Sequence, residues 1–325
     1  MNKVLSGIRP TGKLHIGNYL GAIKNWIDLQ TNSDSCIFMI ADYHGITTPF
    51  KPEQYKESVF SVACEYLAAG LDPEKTILIR QSQIPQHTEL AWIFNTITPV
   101  SWLNRMPTYQ EKLQTNPKYN HMGLLDYPVL MAADILIYKA NLVPVGEDQL
   151  PHIDLANEVA KKFNSMFGQT FEPVKPFTKK AGARIMSLQD PNKKMSKTGD
   201  ESIDLVDSED EIRNKIKRAV TDSGNEVVFD EKKKPAISNL ISIYHLLSDK
   251  PVKEIEKIYE GKGYGDFKKD LAEIIIEFLK PFQEKYFRFS ENPKLVYQAL
   301  ENGEARAKEI AEKTLIEVKG KMGLL

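Results

Sequence analysis

Cysteine is almost missing from this chain of 325 residues: two occur, Cys36 in the apolar run Cys36-Ile-Phe-Met-Ile40 and Cys64 within a helical pattern. That count excludes a disulfide scaffold and offers no metal-ligand spacing, so no metal site is expected. It suits a reducing compartment in which both thiols are buried and inert. No apolar run reaches membrane-spanning length, and no membrane partner is expected. The chain enters a strand almost at once, at Lys3-Val-Leu-Ser-Gly7, without space for a signal or transit peptide, which sets the expectation of a cytoplasmic location. An excess of charge is lacking too: 43 basic side chains face 44 acidic ones. Such a molecule has no global field to draw it onto nucleic acid, so any RNA partner is met through a local patch. Internal repeats and low-complexity stretches are also absent.

What is present divides in two. Charged side chains make up about a fifth of the residues up to Pro191 and well over a third from Asn192 onward, though each part is close to neutral. Short apolar runs at Val4 to Ile8, Ile37 to Ala41, Thr76 to Ile79 and Leu142 to Val145 alternate with longer segments of helical period. This pattern predicts an α/β fold, a Rossmann-like doubly wound parallel sheet over residues 1–191, followed by a C-terminal all-helical domain over 192–325. Lys51-Pro52 opens a helix that Gly70 closes, and a helix over Asp148 to Phe167 ends at Gly168. In the second part, Ser208-Glu-Asp-Glu211 forms a capping box for a helix carrying Arg213, Lys215, Lys217 and Arg218. Further helices are expected over Ala236 to Leu247, Val252 to Tyr259, Asp266 to Phe287 with a kink at Pro281, Pro293 to Leu300, and Glu304 to Met322. The lysine-rich loop from Ser223 to Pro235 reads as a flexible insertion, and the last helix can pack back on the first domain.

Two short segments carry chemistry. In Pro10-Thr-Gly-Lys-Leu-His15-Ile-Gly-Asn18, a strand turns through Pro10 and Gly12 into a helix whose N-terminal N–H groups attract phosphate. Gly17 lets a flat base approach the helix backbone, and His15 and Asn18 can donate to phosphate oxygens. The competing reading is a turn with incidental glycines. In Lys193-Lys-Met195-Ser-Lys197-Thr198, Lys194 and Lys197 can place two ammonium groups on the β and γ phosphates; alone, such a cluster is more often a solvated face. Taken together, the two segments can grip one triphosphate from two sides.

The pair resembles the "HIGH" and "KMSKS" signatures of class I aminoacyl-tRNA synthetases. The wider text, Ser6-Gly-Ile-Arg-Pro10, Met131-Ala-Ala-Asp134, Val143-Pro-Val-Gly-Glu-Asp-Gln149, Gly182-Ala-Arg-Ile-Met-Ser187 and Ala219-Val-Thr-Asp222, resembles the bacterial-type tryptophanyl-tRNA synthetase family over nearly the whole chain. The resemblance implies ATP-dependent formation of an aminoacyl-adenylate from L-tryptophan, with Mg²⁺ carried by ATP, and then transfer to tRNA(Trp) by a homodimer. It implies ATP contacts at Arg9, Pro10, Thr11, Gly17 and Asn18, at Gly146, Glu147 and Asp148, at Ile185, and at Lys194, Met195, Ser196, Lys197 and Thr198. Asn18, His15, Lys194 and Lys197 are the implied catalytic residues. Three positions depart from the family pattern: Arg9 stands where Gln is frequent, Leu5 where an aromatic is common, and Thr198 in place of the final Ser. A permanent cation at Arg9 can replace a neutral nucleotide contact with a charge-assisted one.

A helix from about Tyr127 to Lys139, opened by Pro128, puts Tyr127, Met131, Asp134 and Tyr138 on one face. A buried acid there needs a donor, and an indole N–H supplies one. From spacing alone, pairing of Asp134 within the core is the commoner arrangement; the resemblance favours the substrate. Met131, Val143 and Val145 then form a slot for a flat ring, with phenylalanine rejected on the order of 10⁴-fold for want of a donor. The resemblance adds Ser6, His44 and Gln149 around the substrate, although His44 reads equally well as a satisfied strand-end histidine. The substrate carboxylate is already a nucleophile at neutral pH, so no general base is expected, only positioning and charge stabilisation. The stretch from about Ser101 to His121, with Arg105 and Lys112, resembles the family's insertion near the active site and dimer interface. The charged helical half resembles its anticodon-facing domain; the basic faces at Arg213 to Arg218 and Lys268-Lys269 fit phosphate contacts or plain solvated helices. A tyrosine-specific synthetase and a small-acid nucleotidyltransferase of the same fold are the rival enzymes, and a non-catalytic RNA-binding homologue is the rival of another class.

Overall fold

The computed structural model describes residues 2–115, 117–178, 185–196 and 201–325. Five strands, β1 (Lys3–Ile8), β2 (Ser35–Ile40), β3 (Ile77–Arg80), β4 (Leu142–Pro144) and β5 (Lys175–Phe177), form one sheet in the order β3-β2-β1-β4-β5. All four pairings are parallel, with Val4 opposite Cys36 and Leu142 opposite Val4. Side chains alternate between two buried faces: Val4, Phe38, Ile40 and Leu78 enter one core cluster, and Leu5, Ile37, Met39 and Ile79 the other. Burial on both faces is why these strands read as continuous apolar runs. The strand β5 escapes that signal because it is largely exposed, contains Pro176 and lies at the sheet edge, where a missing N–H is tolerated.

The first crossover is one turn, α1 (Ile16–Asn18), a π-helical stretch over Tyr19–Ile23, and α2 (Lys24–Asn32). After β2 come a short turn α3 (Asp42–Gly45) and α4 (Pro52–Ala69), which ends on Gly70 at φ 101° in the left-handed region glycine tolerates. Between β3 and β4 lie α5 (Gln86–Asn95), α6 (Val100–Asn104), α7 (Pro107–Thr115) and α8 (Met122–Ile137), and α9 (Leu150–Phe167) joins β4 to β5. The helix α8 begins earlier than its proline suggests. Its cap is His121, whose ring accepts from Leu124 N at 3.2 Å, and Pro128 sits inside it.

The second half is helical as expected: α10 (Glu209–Arg218), α11 (Pro235–Ser248), α12 (Val252–Ile258), α13 (Tyr264–Ser290) and α14 (Pro293–Met322). Ser208 and Glu211 form the capping box of α10, with Glu211 N donating to Ser208 Oγ at 3.3 Å and Ser208 N to Glu211 Oε2 at 2.8 Å. The segment Ser223 to Pro235 is no free insertion. Phe229 N bonds Glu256 Oε1 at 2.7 Å, Asp230 N bonds Ser238 Oγ at 2.8 Å, and Val227 is buried. The basic faces are largely engaged: Arg213 pairs with Glu209 and Glu273, Lys215 lies 2.6 Å from Asp207, and Lys268 Nζ donates to Ala219 O at the end of α10.

One helix, α14, replaces the two expected across Gly303. The glycine is a contact site: a Cβ there would lie 2.1 Å from Leu78 O and 2.9 Å from Leu78 N, main-chain atoms of β3. Beside it, Arg80 forms a two-point pair with Glu304, Nε to Oε1 at 2.7 Å and Nη2 to Oε2 at 3.0 Å, and Arg306 donates to Pro73 O and Thr76 O. The helix thus covers the exposed side of edge strand β3. Gly303→Ala is expected to cost about 3 kcal/mol, because the methyl group meets backbone that cannot step aside. Gly320→Ala, where the nearest atom is 4.0 Å away, is expected to be neutral or stabilising by up to about 1 kcal/mol. Urea unfolding of both variants checks this contrast.

Candidate active site

The sheet runs from β1 outward to β3 on one side and then restarts at β4 on the other, so the strand order reverses between β1 and β4. Ligands of open α/β sheets bind outside the carboxyl ends of the strands at such a point. The chain leaving β1 there is Arg9 to Asn18, and the chain leaving β4 is Val145 to Gln149. Ser6 Oγ ties the two strands by donating to Pro144 O at 3.1 Å.

His15 and Asn18 form a capping box. Asn18 N donates to His15 Nδ1 at 3.3 Å and His15 N to Asn18 Oδ1 at 3.1 Å, while Ile16 N donates to Ile203 O at 2.9 Å. These bonds occupy N–H groups that the expected dipole-end phosphate site would offer, because a second segment, Ile203 to Leu205, pairs with Leu14 to Ile16. The box engages the Oδ1 of the Asn18 amide. At Gly17 a Cβ would lie 3.0 Å from His15 Nδ1 and 3.6 Å from Ile185 Cβ. Glycine at that position therefore gives room to the His15 ring, with Ile185 at ordinary contact distance.

The second motif grows from a small antiparallel ledge. Met186 bridges Lys194, Ser187 N donates to Lys193 O at 2.8 Å, and Met195 N donates to Ile185 O at 3.0 Å. Gly17, Ile185 and Met195 are thus in sequence of contact, and the two distant motifs meet. Lys194 Nζ stands 3.9 Å from Asp148 Oδ1, both side chains exposed. A Cβ on Gly146 would come within 2.6 Å of that same Asp148 oxygen. Met195 and Ile185 are buried in the core, which restricts any nucleotide contact of Met195 to its main chain. Ser196 Oγ donates to Glu201 Oε2 at 3.1 Å. Lys197 and Thr198 lie outside the described residues, as do Gly182, Ala183 and Arg184. Pro10 is buried, Thr11 half-buried, and Arg9 and Glu147 exposed at the rim.

Asp134 is 1% exposed on α8, and its carboxylate is already satisfied. His44 Nε2 lies 2.7 Å from Oδ2, His87 Nδ1 lies 2.5 Å from Oδ1, and Gln81 Nε2 donates to both oxygens at 2.9 Å. Burial pushes this carboxyl up, but the two imidazoles and their hydrogen bonds outweigh it and hold it well below the usual carboxylate range. Gln81 also accepts from Tyr43 N and His44 N, and His87 Nε2 lies 2.7 Å from Tyr138 Oη. Gln81 and His87 were not anticipated from sequence. Gln81 follows β3 directly, in the polar Gln-Ser-Gln turn Gln81–Gln83 at a strand's carboxyl end, which was the available signal.

Of the other residues expected around the substrate, Met131, Tyr127, Val145 and Gln149 are half-buried and Val143 is buried. Gln149 Nε2 donates to Asp148 Oδ2 at 2.7 Å. Tyr127 Oη meets Thr108 Oγ1 of α7 and His152 Nε2 of α9, the latter at 2.9 Å, joining the stretch Ser101 to His121 to α8 and α9. Lys112 Nζ stands 4.9 Å from the centre of the Tyr127 ring. Burial, with the like charge of Arg9 beside it, pushes the Lys112 ammonium down to about 8. Thr108 and His152 too went unnoticed, since their meeting depends on three helices. Among the described residues, no three His, Cys, Asp or Glu side chains are grouped to hold a metal ion, and no helix is long and apolar enough to cross a membrane.

Comparison with known proteins agrees with this fold, a parallel α/β sheet followed by helices. Residues 1–280 match the model of the tRNA synthetases class I (W and Y). The tryptophan–tRNA ligase of Caldanaerobacter subterraneus subsp. tengcongensis is 45% identical over 328 aligned residues, covering 100% of this chain and 99% of the relative; that of Bacillus anthracis is 44% identical, covering 100% and 98%. Among solved structures, tryptophanyl-tRNA synthetase from Mycoplasma pneumoniae superposes with a TM-score of 0.90 at 33% identity over 100% of this chain and 98% of that one. The Campylobacter jejuni enzyme complexed with ADP and tryptophan gives 0.88 at 35%, over 99% and 100%. The chain belongs to the class I tRNA synthetases of the tryptophan and tyrosine group.

His152 supplies a test of the pocket's electrostatics. Burial and the neighbouring His44 push it down from 6.5 to about 4. Between those values the unfolded chain binds a proton that the folded chain does not, so stability is full above 6.5 and falls as pH drops toward 4. The loss should be on the order of 3 kcal/mol. His152→Gln, which cannot titrate, is expected to flatten that part of the urea-unfolding pH profile. The depressed Asp134 contributes stability lost only further down, below the ordinary carboxylate range.

Proposed function

We infer that this chain acts as a tryptophan–tRNA ligase. It condenses L-tryptophan with ATP to tryptophanyl-adenylate and pyrophosphate, then passes the tryptophanyl group to the terminal ribose of tRNA(Trp) with release of AMP. The observation that supports this reading is the approach of the two motifs through Ile185, with Asp134 buried on α8, in a chain whose full-length relatives carry that activity in their names.

The tryptophan carboxylate attacks the α-phosphorus without a general base, since it is ionised at neutral pH. The chain's task is to hold both reactants and to meet charge as it moves onto pyrophosphate. Asn18 Nδ2, fixed by the His15 box, donates to phosphate oxygen at any working pH; Lys194 on the ledge supplies an ammonium, and Lys197 of the same motif a second one. Arg9 and Lys112 add positive charge at the rim, and the Mg²⁺ that ATP carries neutralises part of the triphosphate. The indole lies between Met131, Val143 and Val145 with its N–H directed at Asp134, while Tyr127 and Gln149 face the substrate ammonium. Because Asp134 is already fully partnered, the indole displaces one donor; His44 is the one nearest solvent.

Residues 1–191 perform activation, and 192–325 present the lysine segment and a face for tRNA. A homodimer fits three exposed apolar side chains, Trp92 at 72%, Val100 at 60% and Met122 at 73%, on α5, α6 and α8. A cytoplasmic setting fits the two buried free thiols.

Exchange of labelled pyrophosphate into ATP should depend on tryptophan and not on tyrosine. Lys194→Ala should slow that exchange by about 10²–10³-fold while leaving tryptophan affinity, measured by equilibrium dialysis, nearly unchanged. Equal losses in both quantities would contradict the assigned role.

A further inference from the structure

Asn239 is placed where an asparagine has no local reason to be. It sits inside α11 beside the core residues Ile237, Leu240 and Ile241, 7% exposed. Asparagine is a weak helix former, and a buried amide is costly unless its bonds are made. Both bonds go to the main chain of one residue: Met186 N donates to Asn239 Oδ1 at 2.9 Å, and Asn239 Nδ2 donates to Met186 O at 3.0 Å.

Met186 is the middle of the ledge that carries Lys194. Its neighbours Ile185 and Ser187 exchange hydrogen bonds with Met195 and Lys193, so by strand alternation the polar groups of Met186 point away from the lysine strand. Asn239 closes that open edge as an adjoining strand would. The other fastenings, Gly17 against Ile185, Leu188 N to Glu201 O at 3.0 Å and Val220 N to Leu188 O at 2.8 Å, secure the ends of the ledge and leave Met186 to the amide. Lys194 is the bridge partner of Met186, so any shift of Met186 passes directly to the residue whose ammonium faces Asp148.

We propose that Asn239 is a positioning residue for adenylate formation, by which a helix of the second half of the chain fixes the ledge and hence the place of Lys194. The inference rests on the function proposed above. Asn239 reaches no reacting atom; it acts through Lys194, and that dependence separates it from a residue that merely supports the fold.

The experiment is a double-mutant cycle in tryptophan-dependent pyrophosphate exchange, using full-length wild type, Asn239→Ala, Lys194→Ala and the double variant. Asn239→Ala is expected to lower the maximal exchange rate about a hundredfold, the scale of an ångström-sized misplacement. Tryptophan affinity should stay within about twofold, and the double variant should be no more than about twofold slower than Lys194→Ala alone. Independent, multiplying losses in the double variant, or a rate loss matched by an equal loss of tryptophan affinity, overturn the inference and leave the function intact. Absence of exchange by wild type overturns the function, and this inference with it. If Asn239→Ala does not give a cooperative thermal transition, Asn239→Asp takes its place: it keeps the size and the acceptor but loses the donor to Met186 O, and the same pattern is expected.

Discussion

Two main-chain hydrogen bonds between Leu14–Ile16 and Ile203–Leu205 underlie the arrangement of the whole site. Ile16 N reaches Ile203 O and Leu205 N reaches Leu14 O, both at 2.9 Å, and all four side chains are buried. Each bond is worth only about 1 kcal/mol net, but breaking it underneath buried side chains would strand its partners, which costs more. Because of this stitch, the chain that follows the lysine motif is held to the loop that leaves β1. The stitch is itself supported from behind: Gln283 of α13 donates to Leu205 O and Asp207 O, and Lys215 of α10 pairs with Asp207. The helical half is thus part of the structure that shapes the pocket.

The helix α14 extends that dependence to the sheet. Val296 and Leu300 at its start belong to the core cluster shared with α10, α11 and α13, whereas Ala307, Ala311, Leu315 and Val318 belong to the cluster on the opposite face. Gly303 lies at the crossing, where the helix passes the main chain of β3. One helix therefore closes both layers at the sheet's edge, and the Arg80–Glu304 pair locks the register. A shift of the helical half relative to the sheet must either slide this contact or bend α14.

Much of this was legible in the sequence where a local rule decided it. Strands β1 to β4, the caps at Pro52, Gly70 and Ser208, and the two motifs follow from periodicity, from turn chemistry and from residue types whose chemistry suits phosphate. The misses have a common physical origin. Two helices were expected on either side of Gly303, yet one helix runs through it, and the glycine removes a side chain from a contact between helix and strand that no local pattern encodes. Pro128 was read as a helix start, and the His121 ring one turn and more upstream caps it instead. Gln81, His87, Thr108 and His152 come from four different places in the chain, and their roles exist only once α5, α7, α8 and α9 are packed. One N–H of the first turn, that of Ile16, meets a partner that no local pattern points to, Ile203, nearly two hundred residues away.

In the proposed function, where Asp134 receives the indole N–H, the state of this acid bears on how selectivity is achieved. A carboxylate offers about four acceptor positions, and His87, His44 and the shared Gln81 amide leave little unfilled. A donor-bearing indole can take the place of His44 with no net loss of hydrogen bonds at the acid, while the imidazole turns toward water. Phenylalanine cannot make that trade: with His44 in place its ring has less room, and with His44 displaced the buried charge loses a partner. On this account the acid contributes modestly to affinity, because one bond replaces another, and strongly to discrimination, because only a ligand with an N–H in the right place completes the exchange. The buried histidines, which at first reading satisfy the acid and compete with the substrate, are then what makes a ligand without a donor costly.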